Sequence, residues 1–301
     1  MEPTNTPAIV EDRIDSVQSF INPFTIDDSF LEKRPLSYSS LKHFRECPRN
    51  YIQYLKEPKD PEAFVLENAV DCLAITPEEY PVRFQVYDKF DKRTNEAKEK
   101  WKTMIAQATA NKQTLIDRET ELKARIIVDS LYSHDQAREL LEAKRHAQSI
   151  LRWTDKDTGL PVIAKIDFEA ECWDTEFIVD LKTAANANPD NFNRDIFKWG
   201  YNVQAGCYTT AYAKKLFRFP SFTNIVVEKT EPYNVTLMHY DNKEIAKAKE
   251  EFQGLLQAFR ICKEADLWHM SYDFFLFGTR RTNPVSTPGY YRPRPSGFNN
   301  E

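Results

Sequence analysis

The chain has 301 residues and a formal net charge of −5, with 41% hydrophobic, 29% charged and 13% aromatic residues, which suits a soluble folded protein of one large or two small domains and excludes wholesale disorder. No apolar run approaches the roughly 18 residues of a membrane span, and Met1-Glu2-Pro3-Thr4-Asn5 is no basic-then-apolar leader, so a cytoplasmic protein without membrane contact is expected, in the host cytoplasm if the chain is phage-encoded. Cys47, Cys72, Cys172, Cys207 and Cys262 show no C-x-x-C spacing, which argues against a zinc site or disulfide framework, and only 7 glycines leave no phosphate loop or dinucleotide fingerprint.

Residues 1–35 are polar and acidic without a sustained period and read as an arm, with order expected from Leu36. In Leu36-Ser37-Tyr38-Ser39-Ser40-Leu41 a serine can cap a short helix, and Pro48 can start a second through Leu55. Helical composition follows from Glu62 to Ile75, and Thr76-Pro77-Glu78-Glu79 has the pattern of a helix cap. From Thr94 to about Gln148 the chain is rich in Lys, Glu, Ala and Leu, with breaks near Asn111 and Ser133-His134-Asp135, so two or three helices are expected.

The period then changes to two. Gln148 to Trp153, Val162 to Phe168 and Phe177 to Lys182, separated by turns at Asp155 to Gly159 and near Trp173-Asp174-Thr175, form an antiparallel meander. A helix from about Phe192 to Leu216, strands Asn224 to Glu228 and Asn234 to His239, and a long helix opened by Asp241 and Glu244 and running to about Ala265 complete the pattern. Ile245, Phe252, Leu255, Leu256 and Phe259 form the core stripe of that last helix. The Pro-rich residues 279–301 read as a flexible tail.

Asp180-Leu181-Lys182 breaks the apolar strand, because Asp and Lys are both depleted in strands and a charge there is costly unless it is paired or binds a metal. Alternation sends Phe177, Val179 and Leu181 to one face and Ile178, Asp180 and Lys182 to the other, and the meander brings Asp167 beside Asp180. Two close carboxylates without soft ligands suit Mg²⁺, and a lysine beside them suits a phosphate oxygen or an attacking water. A surface hairpin with an ordinary salt bridge fits the same three residues. The net charge of −5 counts against a nucleic-acid partner, although bound cations would supply positive charge locally. Basic and aromatic residues interleave at Lys198-Trp199-Gly200-Tyr201, at Lys214 to Phe219 and at Tyr290 to Arg294, as helix ends and tails also do.

Four stretches resemble the PD-(D/E)XK nuclease superfamily, in the branch of RecE-like (exodeoxyribonuclease VIII) and lambda-type phage exonucleases. They are Leu36 to Leu41 with Cys47-Pro48 and Tyr51, Trp153-Thr154-Asp155 with Thr158-Gly159-Leu160, Ile166-Asp167-Phe168 with Val179 to Thr183, and Tyr201-Asn202-Val203-Gln204 with Tyr208. The resemblance implies an α/β (α+β) fold with a restriction-endonuclease-like core, a mixed central sheet carrying the antiparallel meander and flanked by helices, over residues 36–278.

It further implies a Mg²⁺-dependent exonuclease on linear duplex DNA, with Mn²⁺ able to substitute, in phage-type recombination or DNA end processing. Asp167 and Asp180 would then be metal ligands, with Leu181 adding its carbonyl, Lys182 the catalytic lysine, and Gln204 and Tyr208 the Q-x-x-x-Y pair facing the site or the DNA backbone. Two positions depart from the pattern. Gln148 stands where relatives carry a Glu and could ligate the metal through its side-chain carbonyl, though without charge, and Asp71 stands where the RecE-like branch carries a metal-binding His; Asp71 is either a substitute ligand or an exposed helical residue. A single-strand annealing protein and a homo-oligomer are partners implied by the same resemblance. A nuclease fold that binds DNA without cutting it, or an endonuclease of the same superfamily, are the alternatives.

Overall fold

The structure, a computed structural model, describes residues 25–57 and 64–276. It opens with α1 (Asp28–Lys33), the short strand β1 (Leu36–Ser37), α2 (Tyr38–Glu46) and α3 (Pro48–Lys56). The Ser37 hydroxyl accepts from the Ser40 amide while Ser40 Oγ accepts from the Ser37 amide, closing a capping box on α2, and Pro48 at the start of α3 leaves no N–H unsatisfied. Next come α4 (Val65–Ile75), a 3₁₀ turn at Pro77–Glu79, α5 (Tyr80–Arg83), β2 (Phe84–Tyr87), α6 (Asn95–Ala110), β3 (Thr114–Asp117), α7 (Arg118–Ser133) and α8 (Asp135–Glu142). The remainder is β4 (Lys144–Thr154), β5 (Pro161–Cys172), β6 (Thr175–Ala184), α9 (Pro189–Trp199), α10 (Tyr201–Leu216), β7 (Ser221–Glu228), β8 (Val235–Tyr240), α11 (Asn242–Glu264) and a closing 3₁₀ turn.

A strand has two hydrogen-bonding edges, and β5 uses both. β4 runs antiparallel along one edge from Thr154↔Pro161 to Lys144↔Ala170. The other edge is divided. β1 pairs parallel at Val162 and Ile163, and β6 pairs antiparallel from Phe168↔Val179 to Cys172↔Thr175. β6 then continues parallel to β7, and β7 antiparallel to β8. The mixed sheet therefore forks where β6 leaves β5, and Asp167 and Asp180, the next pair in register, stand at that fork.

Helices cover both faces of the sheet, as the expected α/β fold requires. On one side α1, α2, α3 and α9 to α11 bury Leu31, Phe44, Tyr51, Tyr212 and Phe259 against Ile178, Phe222 and Val226. On the other side α4, α7 and α8 bury Val70, Ile127 and Leu140 against Phe168, Val179, Leu181 and Ile225. Residues of equal parity on β5 change sides along the strand: Ala164 and Ile166 enter the first core, Phe168 and Ala170 the second. β4 does the same between Leu151 and Ala147, and Gln148 between them has a φ of +52°. With a side-chain period of two, such an exchange needs irregular backbone, and it falls at the fork.

Several boundaries differ from expectation. Order begins before Leu36, since Ile26 and Leu31 are buried in the first core. Residues 1–24 of the expected arm, the tail from 279 and the start of the helix expected at Glu62 lie outside the described residues. The helix expected over 192–216 is two, broken at Gly200, whose φ is +73°; a Cβ there would stand 2.2 Å from the Tyr38 hydroxyl, which donates to the Trp199 carbonyl at 2.7 Å. β2 and β3, a small parallel pair joined through α6, were not legible within a helix-rich stretch. Thr76 makes no side-chain cap bond and opens only the 3₁₀ turn, its hydroxyl donating to Glu79 instead. The stripe of α11 is core as expected, with Phe252, Leu255, Leu256 and Phe259 buried.

Two helical glycines make opposite predictions. A Cβ on Gly206 of α10 would meet the Ala248 carbonyl oxygen of α11 at 2.3 Å, so Gly206→Ala should destabilise the chain by about 1–3 kcal/mol in denaturant unfolding. Gly254 meets nothing within 4 Å, and Gly254→Ala should stabilise by about 0.5–1 kcal/mol in the same measurement.

Candidate metal and phosphate site

At the fork the ladder between β5 and β6 ends, and a side chain takes over from backbone. The Leu181 amide, past the last paired residue, donates to Asp167 Oδ2 at 2.9 Å. Asp180 is 1% exposed, a burial that costs several kcal/mol for a carboxylate unless its oxygens are satisfied. They are satisfied from three directions. Gln204 Nε2 of α10 donates to Oδ1 at 3.0 Å, Asn224 Nδ2 of β7 donates to Oδ2 at 2.7 Å, and the Lys182 ammonium stands 2.5 Å from Oδ2. Gln204 also bonds the Tyr208 hydroxyl at 2.9 Å, one helical turn on, so the two share a face of α10 as their spacing requires.

The charges at the fork act on one another. Burial first, then the negative charges of Asp180 and Asp71, push the Asp167 carboxyl well above the usual range. Asp71 on α4 belongs to the same cluster: burial raises its pKa to about 7, with Lys182 lowering and Asp180 raising it. This corrects the alternative of an exposed helical residue. Burial pulls the Lys182 ammonium down, but Asp180 and Asp167 more than reverse this and hold it charged. Three neighbouring carboxylates that carry only oxygen donors are chemically fitted to a hard divalent cation, which would relieve the repulsion that raises Asp71 and Asp167. Among the described residues no three His, Cys, Asp or Glu side chains already converge as a ligand set, because Asp180 and Asp167 face the donors just named. Gln148, in register opposite Asp167, has an exposed side chain.

Beside the carboxylates lies a pocket of about 280 Å³ lined by Lys42, Lys165 and Lys182 with Ser37, Ser39 and Tyr201. Three ammonium groups among hydroxyls suit phosphate oxygens and answer the objection from net charge locally. The sequence reading missed Lys42, Lys165, Asn224 and Tyr240, whereas Tyr201, at the end of the basic and aromatic stretch from Lys198, does line the pocket. The one available signal was Asn224, an amide within the apolar run Phe222 to Val227. The basic and aromatic stretch from Lys214 does not enter this pocket: Phe217 and Phe219 are exposed elsewhere, and Arg218 pairs with Glu176 and Glu169. Tyr290 to Arg294 lie outside the described residues.

Over residues 37–271 the chain matches the model of a family described as a PDDEXK-like domain of unknown function, DUF3799. A crystal structure from Eubacterium rectale, described as a candidate exonuclease, aligns at 11% identity with a TM-score of 0.51, covering 94% of this chain and 97% of that one. At that identity the likeness bears on the fold alone. A second solved structure, SSO0001, covers 72% of this chain and 86% of its own at 9% identity, and its TM-score of 0.27 carries no argument. No curated protein matches the chain.

Stability without divalent ions follows from the sign of the Asp71 shift. The folded chain keeps a proton up to about pH 7 that the unfolded chain gives up near 3.8, so stability should fall as pH rises between these values and level off above them. Thermal melts in chelator should show that decline, and Asp71→Asn should make it shallower, the share from Asp167 remaining.

Proposed function

This chain belongs to the PDDEXK-like family DUF3799, and from that membership we propose that it is a Mg²⁺-dependent deoxyribonuclease acting as an exonuclease on linear duplex DNA, in phage-type recombination or end processing. The observation that carries the reading is the fork, with Asp167 beside Asp180, Lys182 on the same face of β6 and Gln204 reaching Asp180 from α10. Residues 36–278 form the catalytic unit in this reading.

Asp71, Asp167, Asp180 and the Leu181 carbonyl would hold Mg²⁺, or Mn²⁺ in its place, and the bound ion would supply Lewis acidity at the scissile phosphoryl group. Lys182 contacts the phosphate as an ammonium and offsets charge developing there. Water adds to phosphorus while the bond to the sugar oxygen breaks; the water gives up a proton to solvent and the departing oxygen takes one from solvent, leaving a phosphomonoester and a free hydroxyl. Gln204, backed by Tyr208, keeps Asp180 aimed throughout. Lys42 and Lys165 receive neighbouring phosphates of the strand.

A second reading, a fold that binds DNA or a partner such as an annealing protein without cutting, is favoured by one observation. Gln148 brings no charge where a Glu would, and its side chain is exposed.

With Mg²⁺, linear duplex should be degraded and covalently closed DNA spared. Lys182→Ala and Asp180→Ala should each lower the rate at least about a hundredfold while circular dichroism is unchanged. Full activity in both variants would sink the nuclease reading, and equal cutting of closed DNA would replace the exonuclease by an endonuclease. Duplex binding with no nucleotide release would leave the non-cutting fold.

A further inference from the structure

Asn224 and Asp180 are register partners on the adjacent parallel strands β7 and β6, and Asn224 shares its face with Phe222 and Val226. It is fully buried in an apolar strand, where an amide is costly unless both of its ends are bonded. Both ends are bonded. Nδ2 donates to Asp180 Oδ2 at 2.7 Å, and Oδ1 accepts from the Tyr240 hydroxyl at 2.8 Å.

The chemistry leaves one orientation for this amide. An ionised carboxylate can only accept, so the NH₂ group must face Asp180, the carbonyl must face Tyr240, and the tyrosine must donate. Tyr240, itself 8% exposed on β8 and packed on Phe222, thus sets the amide that sets the carboxylate. The arrangement mirrors the helix side of the site, where Gln204 grips the other oxygen of Asp180 and bonds Tyr208. Asp180 is held between two amides, each backed by a tyrosine. Of the roughly four lone-pair sites of a carboxylate the amides occupy two, so the others stay open when Lys182 turns to a phosphate.

We propose that Asn224 and Tyr240 are positioning residues that fix the Asp180 carboxylate in the orientation a divalent cation requires. Their neutral donors do so without cancelling its charge. The proposal rests on the metal-dependent reading given above. Partners of this kind, one bond removed from a metal, typically change affinity about 10–100-fold when lost.

The test is Mn²⁺ binding to the full chain, followed by the electron paramagnetic resonance of the free ion, alongside thermal melting. Tyr240→Phe removes only the hydroxyl, and Asn224→Leu removes both bonds at similar volume. Each should weaken Mn²⁺ binding about tenfold or more at temperatures where the chain is folded, and in Tyr240→Phe nucleotide release should recover at saturating Mn²⁺. Folded variants that bind Mn²⁺ as wild type does, with only their melting lowered, would overturn the positioning role and leave the metal site standing. A wild-type chain that takes up no Mn²⁺ would remove the metal-dependent reading and this proposal together. Should Asn224→Leu fail to fold, Tyr240→Phe decides the matter.

Discussion

Burial of one carboxylate governs the arrangement of this protein. Asp180 is held almost out of water, and a bare carboxylate in such a place would cost more than an ordinary core contact returns. Its oxygens are met by groups from three elements: Lys182 on its own strand, Gln204 from α10, and Asn224 from the neighbouring strand. Asn224 arrives because β6 stays paired with β7 through Asp180, while the ladder between β6 and β5 ends just before it. The fork in turn depends on β1 occupying the far stretch of the same β5 edge.

The electrostatics of the site follow from that geometry. Asp71, Asp167 and Asp180 share an electrostatic cluster with Lys182, and Lys182 together with Lys42 and Lys165 lines the adjoining pocket. A divalent cation and a phosphate ester need such neighbouring zones of opposite sign. The net charge of the whole chain says little about either zone, because charges elsewhere are paired among themselves: Arg218 lies between Glu169 and Glu176, and Arg118 against Asp88. Long-range steering of a polyanion would be weak for such a chain, and capture falls to short-range contacts.

Much of the frame was legible because its signals are local. The meander showed itself through alternation and through turns that the backbone punctuates with positive φ at Gly159, Trp173 and Asp174. The cap at Asp241 and the core stripe of α11 needed only helical spacing. Where local signals misled, a distant residue was responsible. Gly200 sits in helical composition and becomes a break because Tyr38 closes on it from 162 positions earlier in the chain. α1 carries a single fully buried side chain, Leu31, which no periodic pattern can announce. β2 and β3 pair only with each other, as two short strands within helix-rich sequence.

The candidate site divides along the same line. Asp180 and Lys182 share a face because strands have a period of two, and Gln204 and Tyr208 share one because helices repeat every 3.6 residues; both follow from spacing along the chain. Asp71, Lys42, Asn224 and Tyr240 carry no such mark, since an aspartate on a helix or an asparagine in a strand has many harmless settings. They become members of one site only when the forked sheet closes and α4 and β8 pack against it. Contacts between residues far apart in sequence are set by that closure and by the need to satisfy a buried charge, and neither is written into any local pattern.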